Sequence, residues 1–402
     1  MGITFGQPRI DLDAIRAWKG QVIDKLANGL LTLCDRRGVQ LLQGRAVFEG
    51  SDRVRVHDSE VSHIKFRRAI LATGSHASQL PGMSFEKGGR VMDSTGALEL
   101  VDIPESMLIF GGGYVALEMG TVYASLGTRV TLAVRSERLL RGADPDLAEP
   151  LIRRLKDIFV AIHFNTRVSS IKDDERKVDV TLEGEVDQSQ QIFDRVLIAI
   201  GRQPNSQGIG LETTKVNLNE RGFVVVDEQL RTSDERIFAI GDVAGGTLLA
   251  HKAMREGKVA AEVIAGEPSA FDARAIPAVV YTDPQVAWCG LTEEEARKQN
   301  RAIRVERFPW KFSGRATTMD ATAGLTKIII DPETERILGL GLTGRDTEGL
   351  ISEGVLAVEM GALAQDMALS IHPHPTLSET LGEVADIFLG TSTHILPKQK
   401  MK

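Results

Sequence analysis

One stretch limits the fold more than any other: MLIFGGGYVALEMGTVYASLGTRVTLAVRSERLLRG, Met107–Gly142. An apolar run enters three glycines, an amphipathic segment follows, and a second apolar run closes the unit. That order spells strand, glycine turn, helix, strand, a complete βαβ unit. GGGYVALE fits the spacing GxGxxA, with Gly112 between the two spaced glycines. Gly111 makes the tight turn, Gly113 lets backbone approach a pyrophosphate, and Ala116 allows the helix to pack close to the strand. The helix N-terminus supplies partial positive charge and free N–H groups to phosphates. The pattern points to a dinucleotide; a plain structural βαβ turn is the alternative.

The second strand, RVTLAV, bears on which dinucleotide is meant. NAD sites place Asp or Glu at its end to accept the ribose hydroxyls. Val134 stands there, followed by Arg135, Arg138 and Arg141. Guanidinium groups bind a 2′-phosphate bidentately, which favours NADP over NAD. A solvated basic loop is the competing reading.

Other buried strands end in turns of the same kind. HIKFRRAILATGS (His63–Ser75) runs a strand at Ile70–Ala72 into Thr73 and Gly74, and RVLIAIGRQPN (Arg195–Asn205) ends on Gly and Pro. ERIFAIGDVAGGTLLAHKAMREGKVAAEVIAG (Glu235–Gly266) reads strand, Gly-Asp turn, long helix. At such a strand end Asp242 can accept hydrogen bonds from ribityl hydroxyls of a flavin, or serve as a simple N-cap. Short strands are expected at Val39–Leu42 and Ala46–Phe48. From about Phe271 the character changes to an α+β pattern, with a hairpin in TKIIIDPETERILGLGL and amphipathic helices at Gly349–Met360 and Thr376–Leu389. The chain opens almost directly on an amphipathic helix, with Ile15, Trp18, Val22, Leu26, Leu30 and Leu33 on one face. It looks entered midway through a domain.

Bulk properties exclude several classes. At 402 residues the chain has room for two or three domains. A net charge of −7 with both signs interspersed leaves no nucleic-acid footprint. There is no apolar run long enough to span a bilayer and no signal-peptide pattern. Cys34 and Cys289 alone cannot build a disulfide framework, so a reducing, cytoplasmic setting is expected.

Near the C-terminus, HPHPTLSE (His372–Glu379) places a histidine between two prolines and a carboxylate five residues on. A rigid turn with incidental histidines is one reading. A general base held in one tautomer by a carboxylate is the other.

Together these segments resemble the flavin-dependent pyridine nucleotide–disulfide oxidoreductase family, and within it the dihydrolipoamide dehydrogenase branch. The resemblance runs from Gly2 to the tail through ITFGQPRIDLDAIRAWK, DSTGALEL, GGGYVALEMGTVYASLG, RGFVVVDEQLRT, IFAIGDVAGG, LAHKAMREGKVAAEVIAG, AVVYTDPQVAWCGLTEEEA, FPWKFSGRA and HPHPTLSE. It implies an α/β fold of two Rossmann-like domains, for FAD and for NAD or NADP, the first incomplete, plus a C-terminal α+β dimerisation domain. The implied boundaries are 1–105 and 206–270 for the FAD-binding and central regions, 106–205 for NAD(P), and 271–402 for dimerisation. FAD would be contacted by Thr73, Gly74, Asp242 and the backbone near Ala46 and Ala250. The nicotinamide dinucleotide would lie along Gly111–Gly113, Glu118 and Gly201. Tyr114 resembles the nicotinamide-gating tyrosine of glutathione reductases, and Arg135 and Arg141 match the arginines of NADP-using relatives. His374 would be the acid/base for the dithiol, oriented by Glu379 and serving the partner's site in a homodimer. His372 would be structural. Lipoyl domains of 2-oxo acid dehydrogenase complexes are implied partners, with no role for nucleic acid or membrane.

Two family motifs are missing from this sequence: the first GxGxxG and the CxxxxC redox pair. The expectation is an N-terminally truncated chain with weak FAD binding and no dithiol–disulfide turnover. An NADP-dependent disulfide reductase running the other way, and a non-catalytic dimerising remnant, are the alternatives.

Overall fold

The computed structural model describes residues 2–396 except Gln7, Ser84, Lys87 and Glu175. The described residues form two compact units, one from Met1–Ser84, Thr95–Ile103 and Gly201–Asp272, the other from Phe85–Ser94, Pro104–Ile200 and Ala273–Lys402.

In the second unit, the βαβ stretch builds a five-stranded parallel sheet. Its strand order is Val91–Met92, Arg195–Ile198, Ser106–Phe110, Arg129–Ala133, Ala161–His163. Parallel strands covered on both faces must be apolar on both, which explains the unbroken runs MLIF and VLI. Met107, Leu108, Ile109, Val130, Leu132, Val196 and Leu197 are fully buried. A three-stranded antiparallel sheet, Arg167–Asp173, Val178–Glu183 and Gln190–Phe193, follows in the same unit.

The C-terminal part holds a five-stranded antiparallel sheet, ordered Ala278–Val280, Gln285–Gly290, Ile337–Gly344, Leu325–Ile330, Arg304–Pro309. The helices Thr347–Met360, Ala364–Leu369 and Glu379–Leu389 share one core with it, centred on Trp310, Ile328, Leu342, Leu381 and Val384. Burying Trp310 requires a partner for its indole N–H. Nε1 donates to Thr326 Oγ1 at 2.8 Å, and that hydroxyl donates in turn to Thr380 Oγ1 at 2.8 Å. The hairpin of TKIIIDPETERILGLGL forms as expected. The last helix starts at Glu379 and not at Thr376, because Thr376–Ser378 are taken up in the turn before it.

In the first unit, Ala69–Leu71 and Ile237–Ala239 run parallel and adjacent, with Phe48, Leu71, Val224, Ile237 and Val243 in their core. The strand expected at Val39–Leu42 does not form. Those residues are loop, with Leu41 62% exposed, and the strand begins at Arg45 where pairing with His57 begins. The N-terminal helix spans Leu12–Arg36, capped by Asp11 Oδ1 accepting from Ala14 N–H at 3.0 Å. It is tied down by polar contacts: Arg16 donates to the carbonyls of Leu100 and Val101 at 3.1 and 2.9 Å. None of its residues is buried, and the predicted apolar face lies open, Leu26 and Leu30 being 66% and 65% exposed.

The second unit contains a fully buried lysine. Lys327 Nζ bonds Asp144 Oδ2 at 2.7 Å and Asp146 Oδ1 at 3.0 Å, and pairs with Glu293. Burial alone would raise the Asp146 carboxyl, but Lys327 and Arg307 outweigh it and hold it below the usual range. Such a depressed carboxylate stabilises the fold fully above the ordinary Asp range; the contribution is lost as pH falls through the lowered value. Lys327→Met should cost about 3–5 kcal/mol, since it leaves the buried Asp144 carboxylate without its cation. Urea unfolding at neutral pH checks this, and the variant should lose less stability on acidification than the parent. Equal midpoints would show that the cluster contributes nothing.

Candidate functional site

The glycine turn is built by steric necessity. Gly111 has φ +144°, and a Cβ there would overlap the carbonyl oxygen of Ala199. A Cβ on Gly112 would lie 2.6 Å from Val134 Cγ1, so the side chain of Val134 closes one flank of the turn. Gly113 differs: a Cβ would meet nothing within 4 Å, so its outer side is open. Gly113 is the N-cap of helix Tyr114–Leu126 and brings no side chain to the first-turn N–H groups. An open backbone beside an uncapped helix N-terminus fits a pyrophosphate. Ala116 is fully buried, as close helix–strand packing requires.

Val134 is buried at the end of the second strand, its N–H donated to His163 O at 2.8 Å. Val134 stands where a carboxylate is expected for a ribose-binding NAD site. Arg135 and Arg141 are exposed on the following loop. Arg138, the third arginine of that loop, is half-buried and paired with Glu294 on helix Glu293–Lys298. Lys298 and Arg138 together pull the Glu294 carboxyl down to about 2. Glu118, one turn along the glycine-turn helix, accepts the N–H of Tyr281 at 2.9 Å; burial pushes its carboxyl up and that hydrogen bond offsets it in part. Tyr114 is 38% exposed at the helix start.

In the first unit, the two parallel strands bring Thr73, Gly74 and Asp242 together. Thr73 Oγ1 donates to Asn205 O at 2.7 Å, Asn205 Nδ2 returns a bond to Thr73 O at 2.8 Å, and Asn205 N–H reaches Gly74 O at 3.0 Å. Asp242 lies in the short 3₁₀ turn Gly241–Ala244, accepts the Ser75 hydroxyl, and stands 3.8 Å from Arg202 Nε. Arg202 also donates to Ser75 Oγ at 2.6 Å and to Ser75 O at 2.7 Å. The turn is held from beneath by a buried ion pair, Lys252 with Glu256 at 2.5 Å. Glu256 accepts the N–H of Gly241 at 2.7 Å, and Lys252 donates to Gly245 O at 2.9 Å. Ala250 opens helix Ala250–Ala265, whose N-cap Leu249 offers no side-chain acceptor. Ala46 belongs to another sheet, opposite Val56, and Gly201 (φ +127°) accepts the N–H of Ser78 at 2.9 Å. Sequence reasoning missed Ser75, Arg202, Asn205, Lys252 and Glu256; only the Lys-x-x-x-Glu spacing of the last two was visible in advance.

His374 Nδ1 lies 2.8 Å from Glu379 Oε1, and the second carboxylate oxygen accepts Thr376 N–H at 2.7 Å. Burial would raise the Glu379 carboxyl, but the Thr376 N–H and His374 hold it below its ordinary value. The carboxylate is fixed by the backbone and in turn fixes one ring nitrogen. The imidazole is 79% exposed, and its other nitrogen has no hydrogen-bond partner among the described residues. His372 differs: its ring packs against Gly382 and its Nε2 lies 2.9 Å from Glu353, which raises its pKa. The two cysteines are unpaired, and burial pushes the Cys289 thiol up to about 12.

Residues 5–257 match the family model for pyridine nucleotide-disulphide oxidoreductases, and residues 276–385 match the dimerisation domain of the same enzymes. The chain belongs to this family. Dihydrolipoyl dehydrogenases from Vibrio parahaemolyticus and Haemophilus influenzae are each 41% identical over 403 residues, covering 100% of this chain and 84% of theirs. The HOCl-induced flavoprotein disulfide reductase RclA from Escherichia coli superposes with a TM-score of 0.83 at 30% identity, covering 92% of this chain and 85% of that one. LpdA from Mycobacterium tuberculosis gives 0.86 at 25% identity, covering 95% and 84%.

The glycine turn divides into a crowded half at Gly111 and Gly112 and an open half at Gly113. Gly111→Ala should destabilise the protein by about 3 kcal/mol, through overlap with Ala199 and the strained φ. Gly113→Ala should fold normally yet weaken dinucleotide binding by about tenfold, since the methyl group stands where phosphate approaches. Thermal unfolding and a fluorescence titration with NADPH separate the two. Matching behaviour of the two variants would sink the division.

Proposed function

We propose that this oxidoreductase acts as a dihydrolipoamide dehydrogenase-type flavoprotein, with FAD on the Asp242 side and NAD(P) on the glycine turn. The observation that carries the chemistry is the His374–Glu379 pair. Disulfide exchange needs a thiolate, so a base must take the thiol proton. With Glu379 holding Nδ1–H, Nε2 of His374 is the nitrogen that accepts it. When bound, the flavin and nicotinamide carry the electron pair between dithiol and dinucleotide. Thr73, Gly74 and Asp242 would orient the flavin, with the backbone near Ala46 and Ala250 as further contacts. Gly111–Gly113, Tyr114, Glu118 and Gly201 would line the dinucleotide. Cys34 and Cys289 do not have the CxxxxC spacing of the family's redox pair.

The proposed domain plan follows: 1–105 with 206–270 for FAD, 106–205 for NAD(P), and 271–402 for dimerisation. The matched dimerisation domain supports a homodimer; we propose further that His374 serves the partner's site and that lipoyl domains are protein partners. Among the described residues no helix is long and apolar enough to cross a membrane. Two cysteines far apart in sequence suit a reducing compartment, and on that ground we propose the cytoplasm.

Dihydrolipoamide oxidation should be assayed on the chain alone and on the chain fused to the part of the Vibrio parahaemolyticus enzyme that it does not cover. The fused protein should turn over. His374→Gln should lower its kcat by about 10²–10⁴, and Glu379→Gln should lower it less while shifting the pH profile. A silent fusion with bound flavin, or a His374→Gln variant of full activity, would overturn the assignment.

A second reading, preference for NADP, is favoured by Val134 at the ribose position with Arg135 and Arg141 free of acidic partners among the described residues. Both arginines are exposed, so screening reduces the preference to roughly a few-fold to tenfold. Arg135→Ala should lower the NADPH/NADH ratio of kcat/KM by that amount. Glu294→Gln should raise it, because Arg138 is then released toward the same loop. If both leave the ratio unchanged, the loop does not read the 2′ position.

A further inference from the structure

A cavity of about 690 Å³ lies entirely among residues 274–361, apart from every residue assigned above to cofactor or base. Its wall is formed by helix Glu293–Lys298, the hairpin Asp331–Arg336 and the C-terminal cap of helix Thr347–Met360 at Gly361. Arg274 and Arg336 reach into the same space from different elements. Their Nη1 atoms lie 3.7 and 3.8 Å from the point where a Cβ on Gly361 would stand. Gly361 has φ +65° and leaves that point empty.

The acidic groups of the wall are already engaged. Asp331 Oδ1 accepts the N–H groups of Glu333 and Thr334, both at 3.1 Å, and Oδ2 pairs with Arg301 at 3.3 Å. Glu295 closes the capping box with Thr292. Glu359, beside the cap, accepts the backbone N–H groups of Arg274 and Ala275 at 2.8 and 2.9 Å. Among the described residues neither the Arg274 nor the Arg336 guanidinium has a carboxylate partner. Two converging guanidinium groups repel each other, and a charge between them relieves this while accepting two forks of donors.

We propose that this cavity is a binding site for a small phosphate-type polyanion, held between Arg274 and Arg336. Inorganic pyrophosphate is the probe, titrated calorimetrically at low salt into the full chain. Since it also fits the dinucleotide turn, the titration is run in a Gly113→Ala/Arg135→Gln/Arg141→Gln background, in which that site is blocked at its open backbone. There it should still bind, with a sub-millimolar Kd and a rise in Tm of about 2 °C or more at saturation. Adding Arg274→Gln and Arg336→Gln should abolish both signals with an unchanged circular dichroism spectrum. Arg274→Lys with Arg336→Lys should keep binding but weaken it about tenfold, because lysine keeps the charge and loses the fork. No binding in the first background, or binding that survives loss of Arg274 and Arg336, overturns the proposal. None of these outcomes depends on the enzyme's turnover.

Discussion

The ammonium of Lys327 is the contact on which the second unit depends. It leaves the strand Leu325–Ile330 and ends among Asp144, Asp146 and Glu293, whose ligating atoms all lie within 4.8 Å of one another. Three carboxylates so close would repel strongly in a buried setting, and the lysine supplies the positive charge that lets them stay ionised. Arg307 adds a second cation at the rim, bonded to Asp146 at 2.5 Å and to Glu293. Asp144 does two jobs: it precedes helix Pro145–Ile158 and accepts the N–H groups of Glu293 and Glu294 at 3.1 and 3.4 Å. The positive end of helix Glu293–Lys298 therefore rests on a carboxylate from the dinucleotide domain.

This arrangement fixes more than stability. Glu294 follows Glu293 on the anchored first turn, and Glu294 grips Arg138. The loop that carries Arg135 and Arg141 is thus fastened at its middle to the antiparallel-sheet domain. Tyr281 reaches Glu118 from the same domain, so the glycine-turn helix is held at a second point. The backbone proposed to face a dinucleotide is thus positioned in part by Tyr281 and Glu294, which lie outside the proposed contacts.

What was legible in the sequence follows the range of the forces involved. The glycine turn could be read because its cause is local: Gly111 has φ +144° and no room for a Cβ. The His374–Glu379 pair could be read because five residues separate its members, and the parallel strands because burial on both faces leaves an unbroken apolar run. Lys327 could not. In TKIII it looks like a polar residue on an ordinary strand, and its partners lie far away in sequence at Asp144 and Asp146. Ser75, Arg202 and Asn205 were invisible for the same reason, since Arg202 and Ser75 meet only when two strand ends fold together. The strand expected at Val39–Leu42 failed in the opposite direction. Its local propensity was sound, but no neighbouring strand pairs with it, and β structure needs a partner.

The two chemical tasks call for opposite environments, and the structure separates them accordingly. Phosphate recognition of the proposed kind relies on backbone N–H groups whose direction must not drift, and the glycine turn follows the strand Ser106–Phe110, whose last four residues are buried. A base of the kind proposed for His374 must be reachable by a dithiol on another element, and His374 stands 79% exposed. Exposure alone would leave the ring free to rotate. The restraint comes from Glu379, which is itself fixed by the Thr376 N–H at 2.7 Å and begins a helix packed into the core through Leu381 and Val384. Rigidity passes outward from core to helix, from helix to carboxylate, and from carboxylate to imidazole. An exposed base can in this way keep a single orientation without being buried.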